Sequence, residues 1–389
     1  MKSHKKDVQE ESEASVETVV QRNTEFALAL YQKLQTTEGN LFFSPYSIST
    51  ALAMTYAGAR GNTADQIAQA LHFPLEQEAL HQAFASLEAK LNDTERKGHV
   101  QLKAANALWP QEGYPFLAEF LTLTKQYYGA LITAVDYSDT ETARRTINTW
   151  VEQKTENKIK ELIPPDILDP LTCLVLVNAI YFKGNWANRF DPNLTRDAPF
   201  WITPDVEVQV PMMTQEREFR YGESDGLHVL ELPYAGDALS MNILLPKEIN
   251  GLARLEERLT IQNLARWTQK LWSTKVHVFL PKFKITFPFR LDDTLKSMGM
   301  VDAFGNADFS GMDGTRSLLI GAVLHKAFVD INEEGTEAAA ATAVIMSRGP
   351  ALVFRADHPF VFLIRENCTG SILFLGRMVN PGNNDDRQE

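Results

Sequence analysis

Residues 332–350 read NEEGTEAAAATAVIMSRGP, and two backbone states compete for them. Propensity alone allows an alanine-rich helix. A strand makes a sharper statement. Taking alternate positions, one face carries Thr336, Ala338, Ala340, Thr342, Val344 and Met346, with no charge and small side chains first. The other carries Glu337, Ala339, Ala341, Ala343, Ile345 and Ser347, with its one acid at the start, where water reaches it. A ribbon of this kind is able to enter a sheet between existing strands without burying a charge.

Outward from this stretch, the chain is helix-rich before it and strand-rich around it. Phe26, Leu28, Leu30, Tyr31 and Leu34 share a helical face from Thr24. Ser44-Pro45 opens a second helix with Ser44 or Ser47 as cap, ended near Gly58 and Gly61. Helical patterns continue to about Leu91, over Glu119–Tyr128, Thr140–Lys160 and Leu252–Leu271, and over Leu291–Met298. The apolar run Leu171–Phe182 has no helical face and suits a central strand buried on both sides. Shorter strands are expected at Val206–Val210, Leu227–Leu232, Ser240–Leu245, Val276–Phe279, Leu318–Gly321, Lys326–Ile331, Val361–Ile364 and Ile372–Arg377. The class is α+β. Residues 1–20 read as a flexible polar extension, 21–381 as one domain and 382–389 as a tail.

The formal net charge of −12 and scattered Lys and Arg argue against a nucleic-acid partner. The densest basic stretch, Lys90, Arg96, Lys97 and Lys103, is interrupted by Asp93 and Glu95 and reads as a solvated helix end and loop, so polyanion binding is not expected. Cys173 and Cys368 make no disulfide framework. No 18-residue apolar run exists, so no membrane span or membrane partner is expected. The basic N-terminal residues have no apolar segment behind them. The expectation is therefore a cytoplasmic or leaderless protein, unless a leader was removed to give an extracellular one. Sequons at Asn92, Asn193 and Asn367 allow glycosylation only in a secretory setting. The catalytic signatures G-x-S-x-G, H-E-x-x-H, G-x-x-x-x-G-K-[ST] and G-x-G-x-x-G are absent, and the eight His form no ligand cluster. The weight falls on a binding protein without metal or cofactor rather than an enzyme.

The run GTEAAAATA resembles the hinge of inhibitory serpins, and the rest of the chain agrees with that family from about residue 24 to 381. Leu41–Ile67 is similar to its second-helix segment and Leu176–Trp186 to the third strand of its main sheet. The blocks Leu230–Pro246, Val278–Ile285, Met298–Met312, His325–Ala343 and Ala356–Pro381 follow in the family's order. The resemblance implies three β-sheets, about nine helices and a reactive loop exposed between Glu333 and roughly Val353. It also implies a monomeric inhibitor whose partner is a serine protease, held as a covalent acyl complex. The cleaved loop would fill a gap in a five-stranded main sheet. The hinge would be Glu333, Glu334, Gly335, Thr336, Glu337, Ala338, Ala339, Ala340, Ala341 and Thr342.

In the same blocks Ser44, Ser47, Asn178 and His325 correspond to the shutter, the hydrogen-bonded cluster where strands part. Taken singly they read as two caps, a turn residue and a core histidine. Trp186 resembles the breach aromatic where insertion begins, or is a plain core residue. Glu333 and Lys282 are expected to pair at the top of the sheet, either holding the hinge out or as an ordinary surface pair. Fourteen residues on from Gly335 the scissile position falls at Gly349, before Pro350, a bond that most serine endoproteases do not cleave. Arg348–Gly349 is better bait, for a trypsin-like enzyme. Met346–Ser347 would suit an elastase-like or chymotrypsin-like one. The rival readings are a non-inhibitory serpin with a carrier, chaperone or storage role, whose hinge would tend to be bulky or charged, an inhibitor of cysteine proteases, and a hydrolase of another family, which would turn over a small ester and form no stable complex.

Overall fold

The computed structural model describes residues 2–73, 77–96, 100–334 and 352–382, with side chains from Ser15 onward. Within them the helices are α1 (Lys2–Leu34), α2 (Pro45–Gly58), α3 (Gly61–Ala70), α4 (Gln77–Arg96), α5 (Ala118–Tyr128), α6 (Thr140–Lys154), α7 (Leu252–Glu257), α8 (Ile261–Gln269), α9 (Asp292–Ser297) and α10 (Ser310–Asp313). The first strands are β1 (Leu41–Phe43), β2 (Val100–Pro110), β3 (Leu131–Ile132), β4 (Leu174–Gly184), β5 (Arg196–Thr203), β6 (Val206–Ser224) and β7 (Leu227–Pro233). The remainder are β8 (Leu239–Pro246), β9 (Trp272–Pro281), β10 (Phe283–Arg290), β11 (Ala322–Ile331), β12 (Leu352–Arg355), β13 (Phe360–Glu366) and β14 (Ile372–Met378).

Helix α2 sets the centre. Ser44 caps it by accepting the Ser47 N–H, Pro45 fills its first turn, and every residue from Pro45 to Gly58 is buried. A helix apolar on all sides has no solvent face to offer and must sit inside. Over it lies a five-stranded sheet in the order β10-β11-β4-β2-β3. Strand β4 is buried along both faces except at Lys183, because the sheet is covered on both sides. Leu174 and Leu176 point to the α2 side, while Val175, Val177 and Ala179 pack under α6 and the chain that follows it, with Ile159, Leu162 and Ile163.

The other nine strands form one hydrogen-bonded network, β1-β14-β13-β8-β7-β6-β9-β12 with β5 on β6. The three sheets expected from the resemblance appear as two networks because β6 is nineteen residues long. It pairs with β5 near its start, β9 in its middle and β7 at its end, so two sheets share one strand. Gly376 on β14 is required by close packing: a Cβ there would stand 2.6 Å from the Leu41 carbonyl oxygen of β1 and 2.8 Å from the Phe362 ring. The buried Arg377 beside it satisfies carbonyls at the end of α1, Gln35 at 2.8 Å and Gly39 at 2.9 Å, and pairs with Glu256 of α7 at 3.0 Å.

Several expectations change. Of the residues read as a flexible extension, Lys2 to Val20 belong to α1, and Val16, Val19 and Val20 are buried against the core. Their spacing of three and four is a helical stripe that the dense charge before them hides. Leu318–Gly321 is not a strand; its place is taken by the longer β11, with Leu318 and Ile320 buried beneath it. The Leu252–Leu271 pattern is two helices broken at 258–260. Lys103 lies on β2 rather than in a loop and pairs with Glu95 at 2.7 Å. Cys173 and Cys368 are both free, half-buried and exposed respectively.

Candidate functional site

The seam between β11 and β4 is the feature on which the expected residues converge. These two strands run parallel and pair from Ala322 opposite Val175 to Val329 opposite Phe182. The seam is therefore closed: in place of the expected gap stands an eight-residue parallel ladder, which any new strand must part. It stops at Val329 and Phe182, two residues before each strand ends.

Midway along the seam, the register aligns Phe289 of β10, His325 of β11, Asn178 of β4 and Asn106 of β2 in one row. Helix α2 meets this row with its first turn. The Ser44 backbone N–H donates to His325 Nε2 at 3.1 Å, so the ring proton sits on Nδ1, which donates to Asn178 Oδ1. The Asn178 amide nitrogen donates in turn to the Ser47 carbonyl at 3.0 Å, to Ser47 Oγ at 2.6 Å and to Asn106 Oδ1. The Ser47 hydroxyl also donates to Asn106 Oδ1 at 3.3 Å, and the Ser44 hydroxyl donates to the Leu373 carbonyl of β14 at 2.6 Å. Ser44, Ser47, Asn178 and His325 are all buried. Burial pushes the His325 pKa down to about 3, so the imidazole is neutral. The cluster thus crosses the seam side chain to side chain and ties both strands to α2. Asn106 was missed in the sequence. Its only signal is an amide in an Ala-rich run, and β2 itself has too few β-branched residues to read as a strand.

At the open end of the seam the chain leaving β11 is bound to the segment that follows β4. Trp186 donates its indole N–H to the Asn332 carbonyl at 2.9 Å and its backbone N–H to the Glu334 carbonyl at 3.3 Å. Its ring is stacked on Tyr234 at 4.6 Å and 9°. The Phe190 N–H donates to the Glu333 carbonyl at 3.0 Å. The Glu333 side chain, nearly buried, lies 2.7 Å from Lys282 Nζ and accepts the Thr195 hydroxyl at 2.8 Å. Burial alone would raise this carboxyl, but the Lys282 and Thr195 hydrogen bonds outweigh it and hold it below its ordinary value. Thr195 carries no motif, and 138 positions separate it from its partner. Only the fold reveals it.

The rest of the expected hinge, Gly335, Thr336, Glu337, Ala338, Ala339, Ala340, Ala341 and Thr342, lies outside the described residues. So do the candidate bait positions Met346, Ser347, Arg348, Gly349 and Pro350. The chain re-enters the described structure as β12, parallel to β9 at the edge of the nine-stranded network. Among the described residues no group of three or more His, Cys, Asp or Glu is placed to hold a metal, and no helix is long and apolar enough to cross a membrane.

Comparison with known proteins agrees along nearly the whole length. The family model described as serpin (serine protease inhibitor) matches residues 21–381. The human leukocyte elastase inhibitor is 46% identical over 382 residues, covering 94% of this chain and all of that one. Among solved structures, uncleaved ovalbumin superposes with a TM-score of 0.87 at 32% identity, over 93% of this chain and 100% of that one. Human thyroxine-binding globulin, solved with its thyroid hormone, also reaches 0.87, at 35% identity over 94% and 99%.

Proposed function

The chain belongs to the serpin family, and from that membership we propose that it is a monomeric serine-protease inhibitor, without cofactor, that traps its target by inserting its cleaved loop between β11 and β4. The observation that carries this reading is the parallel seam itself, combined with a sequence after β11 whose alternate positions from Thr336 to Met346 are uncharged and small at first. A segment turning back after Glu334 runs antiparallel to β11. Since β4 is parallel to β11, it runs antiparallel to β4 as well. Insertion therefore replaces one parallel ladder with two antiparallel ones, the slightly more stable kind. Over about a dozen residues, net hydrogen bonds of roughly 0.5–1.5 kcal/mol each plus apolar burial give on the order of 10 kcal/mol. That is comparable to the whole stability of an ordinary domain, and enough to deform a tethered protease.

In this mechanism the protease serine attacks the bait carbonyl and the new amino terminus leaves. The acyl-enzyme is then carried along as the hinge enters. The Asn332–Glu334 contacts to Trp186, Phe190, Thr195 and Lys282 set where entry begins. The His325–Asn178 bond is the latch that the incoming strand must open, since the two residues face each other directly across the seam. The inhibitor contributes no catalytic group.

For the bait we favour Arg348–Gly349 and a trypsin-like enzyme, because an acidic specificity pocket pairs with an arginine. The kinship with a leukocyte elastase inhibitor supports a second choice, Met346–Ser347 and an elastase-like enzyme. Incubation with trypsin and, separately, with leukocyte elastase, followed by a denaturing gel, distinguishes them. A band at the summed mass identifies the trapped enzyme, and the mass of the released C-terminal peptide identifies the bond. Arg348→Ala abolishes the trypsin band if Arg348 is the bait. No band with either enzyme, and turnover of the loop as plain substrate, would instead favour a carrier or storage role.

A further inference from the structure

Beyond residue 351 the chain rejoins the body as β12, with Leu352 opposite Val276 and Arg355 opposite Phe279. Alternation turns Phe354 into the core and leaves Val353, 56% exposed, and Arg355 on the outside. Across the sheet the register places Val353 in a row with His277 and Glu216, and Arg355 in a row with Phe279 and Thr214. The side chains form one layered patch. The Arg355 guanidinium lies 3.7 Å over the Phe279 ring, and the Phe279 and His277 rings are 4.4 Å apart. His277 Nε2 is 2.8 Å from Thr214 Oγ1. That hydroxyl donates to the Val278 carbonyl at 3.1 Å, so the histidine nitrogen is the donor in the pair. Lys275, next in the outward row, is already neutralised by Glu216 at 2.5 Å. Among the described residues, by contrast, no carboxylate pairs with Arg355. A guanidinium fixed on an aromatic face has lost its freedom already while its N–H fork stays open, which makes it a preorganised receptor for a carboxylate.

We propose that Val353, Arg355, His277 and Phe279 form a second contact for the bound protease, taking a carboxylate on the rim of its active-site cleft. This rests on the inhibitory reading above. Three residues separate Arg348 from Leu352, so the two lie at most about 14 Å apart along the chain. An enzyme holding the Arg348–Gly349 bond therefore overhangs β12. A protease–inhibitor interface buries roughly 800 Å² on each partner, more than one loop supplies, and this sheet face is the surface next in line. An arginine and an aromatic ring are also the residue types that concentrate binding energy at such contacts.

The test uses full-length protein and whichever of trypsin or leukocyte elastase gives a covalent band. The second-order rate of band formation is measured at low and high salt for wild type, Arg355→Glu, Arg355→Lys and Phe279→Ala. Arg355→Glu should slow association about tenfold at low salt, and the gap should narrow at high salt. Phe279→Ala should slow it less, and Arg355→Lys should restore most of the rate, which separates charge from damage to the fold. The released peptide should not change in any variant, and the melting temperature should not change in Arg355→Glu and Arg355→Lys; Phe279→Ala, whose ring also packs on the core, should lower it somewhat. If Arg355→Glu associates as fast as wild type or faster, the patch is not a contact for an acidic rim, and the inhibitory reading stands untouched. If wild type gives no band at all, that reading falls and the patch falls with it.

Discussion

Replacing Asn178 with alanine removes the one side chain that bridges β4, β11, β2 and α2. The His325 Nδ1–H is left buried without an acceptor, at about 1–3 kcal/mol. The small void left by the amide adds about 1 kcal/mol. Ser47 keeps its bond to Asn106 and loses little. The sum is about 2–4 kcal/mol. Thermal unfolding entropy near ~2.1 cal/mol/K per residue gives ~0.8 kcal/mol per degree for 389 residues. The native melting temperature should therefore fall by about 3–5 °C, read by circular dichroism. The double variant Asn178→Ala with His325→Ala should lose less than the sum of the two single changes, since each removes the other's orphaned partner. An Asn178→Ala melting point within a degree of wild type, or strict additivity with His325→Ala, would refute the latch.

Further outcomes follow from the same geometry. With its pKa at about 3 when folded and 6.5 when unfolded, His325 leaves the native state one proton short between those values. Stability should then fall as pH drops from 6.5 toward 3, by up to ~1.4 kcal/mol per pH unit. His325→Gln should flatten that slope in urea titrations at successive pH values, and identical slopes would contradict a buried neutral ring. Glu333, with its pKa lowered, contributes stability that is present above the ordinary carboxyl range and lost as pH falls through its folded value. Glu333→Gln should cost about 1 kcal/mol at neutral pH, because Lys282 is partly solvated, and nothing in strong acid. Trp186→Phe keeps the stack on Tyr234 but loses the indole bond to Asn332. It should cost about 1 kcal/mol and raise the number of inhibitor molecules consumed per protease trapped. An unchanged stoichiometry would mean that Trp186 is only core.

Much of this was legible because the relevant residues carry strong local signals. Ser44-Pro45 announces a helix start, and the largely apolar run of β4, broken by Asn178 and ended at Lys183, announces burial on two faces. The pair Glu333 and Lys282 was expected from the resemblance, and the two meet at 2.7 Å. What stayed hidden depends on tertiary contact. The middle of strand β2, Lys103–Ala107, is Lys, Ala and Asn, which favour no sheet on their own, and it is held by β4 and the helices around it. Asn106 and Thr195 matter only through partners dozens of residues away. The sharing of β6 between two sheets follows from where its neighbours pair, which its own alternation does not encode.

Cleaving the loop near residue 348 with a protease that is not itself trapped, then melting intact and cleaved protein side by side, goes most directly to the heart of the mechanism. If the freed ribbon enters between β11 and β4, a gain on the order of 10 kcal/mol should raise the melting temperature by roughly 10 °C or more. A cleaved protein that melts at or below the intact one would mean that the seam stays shut.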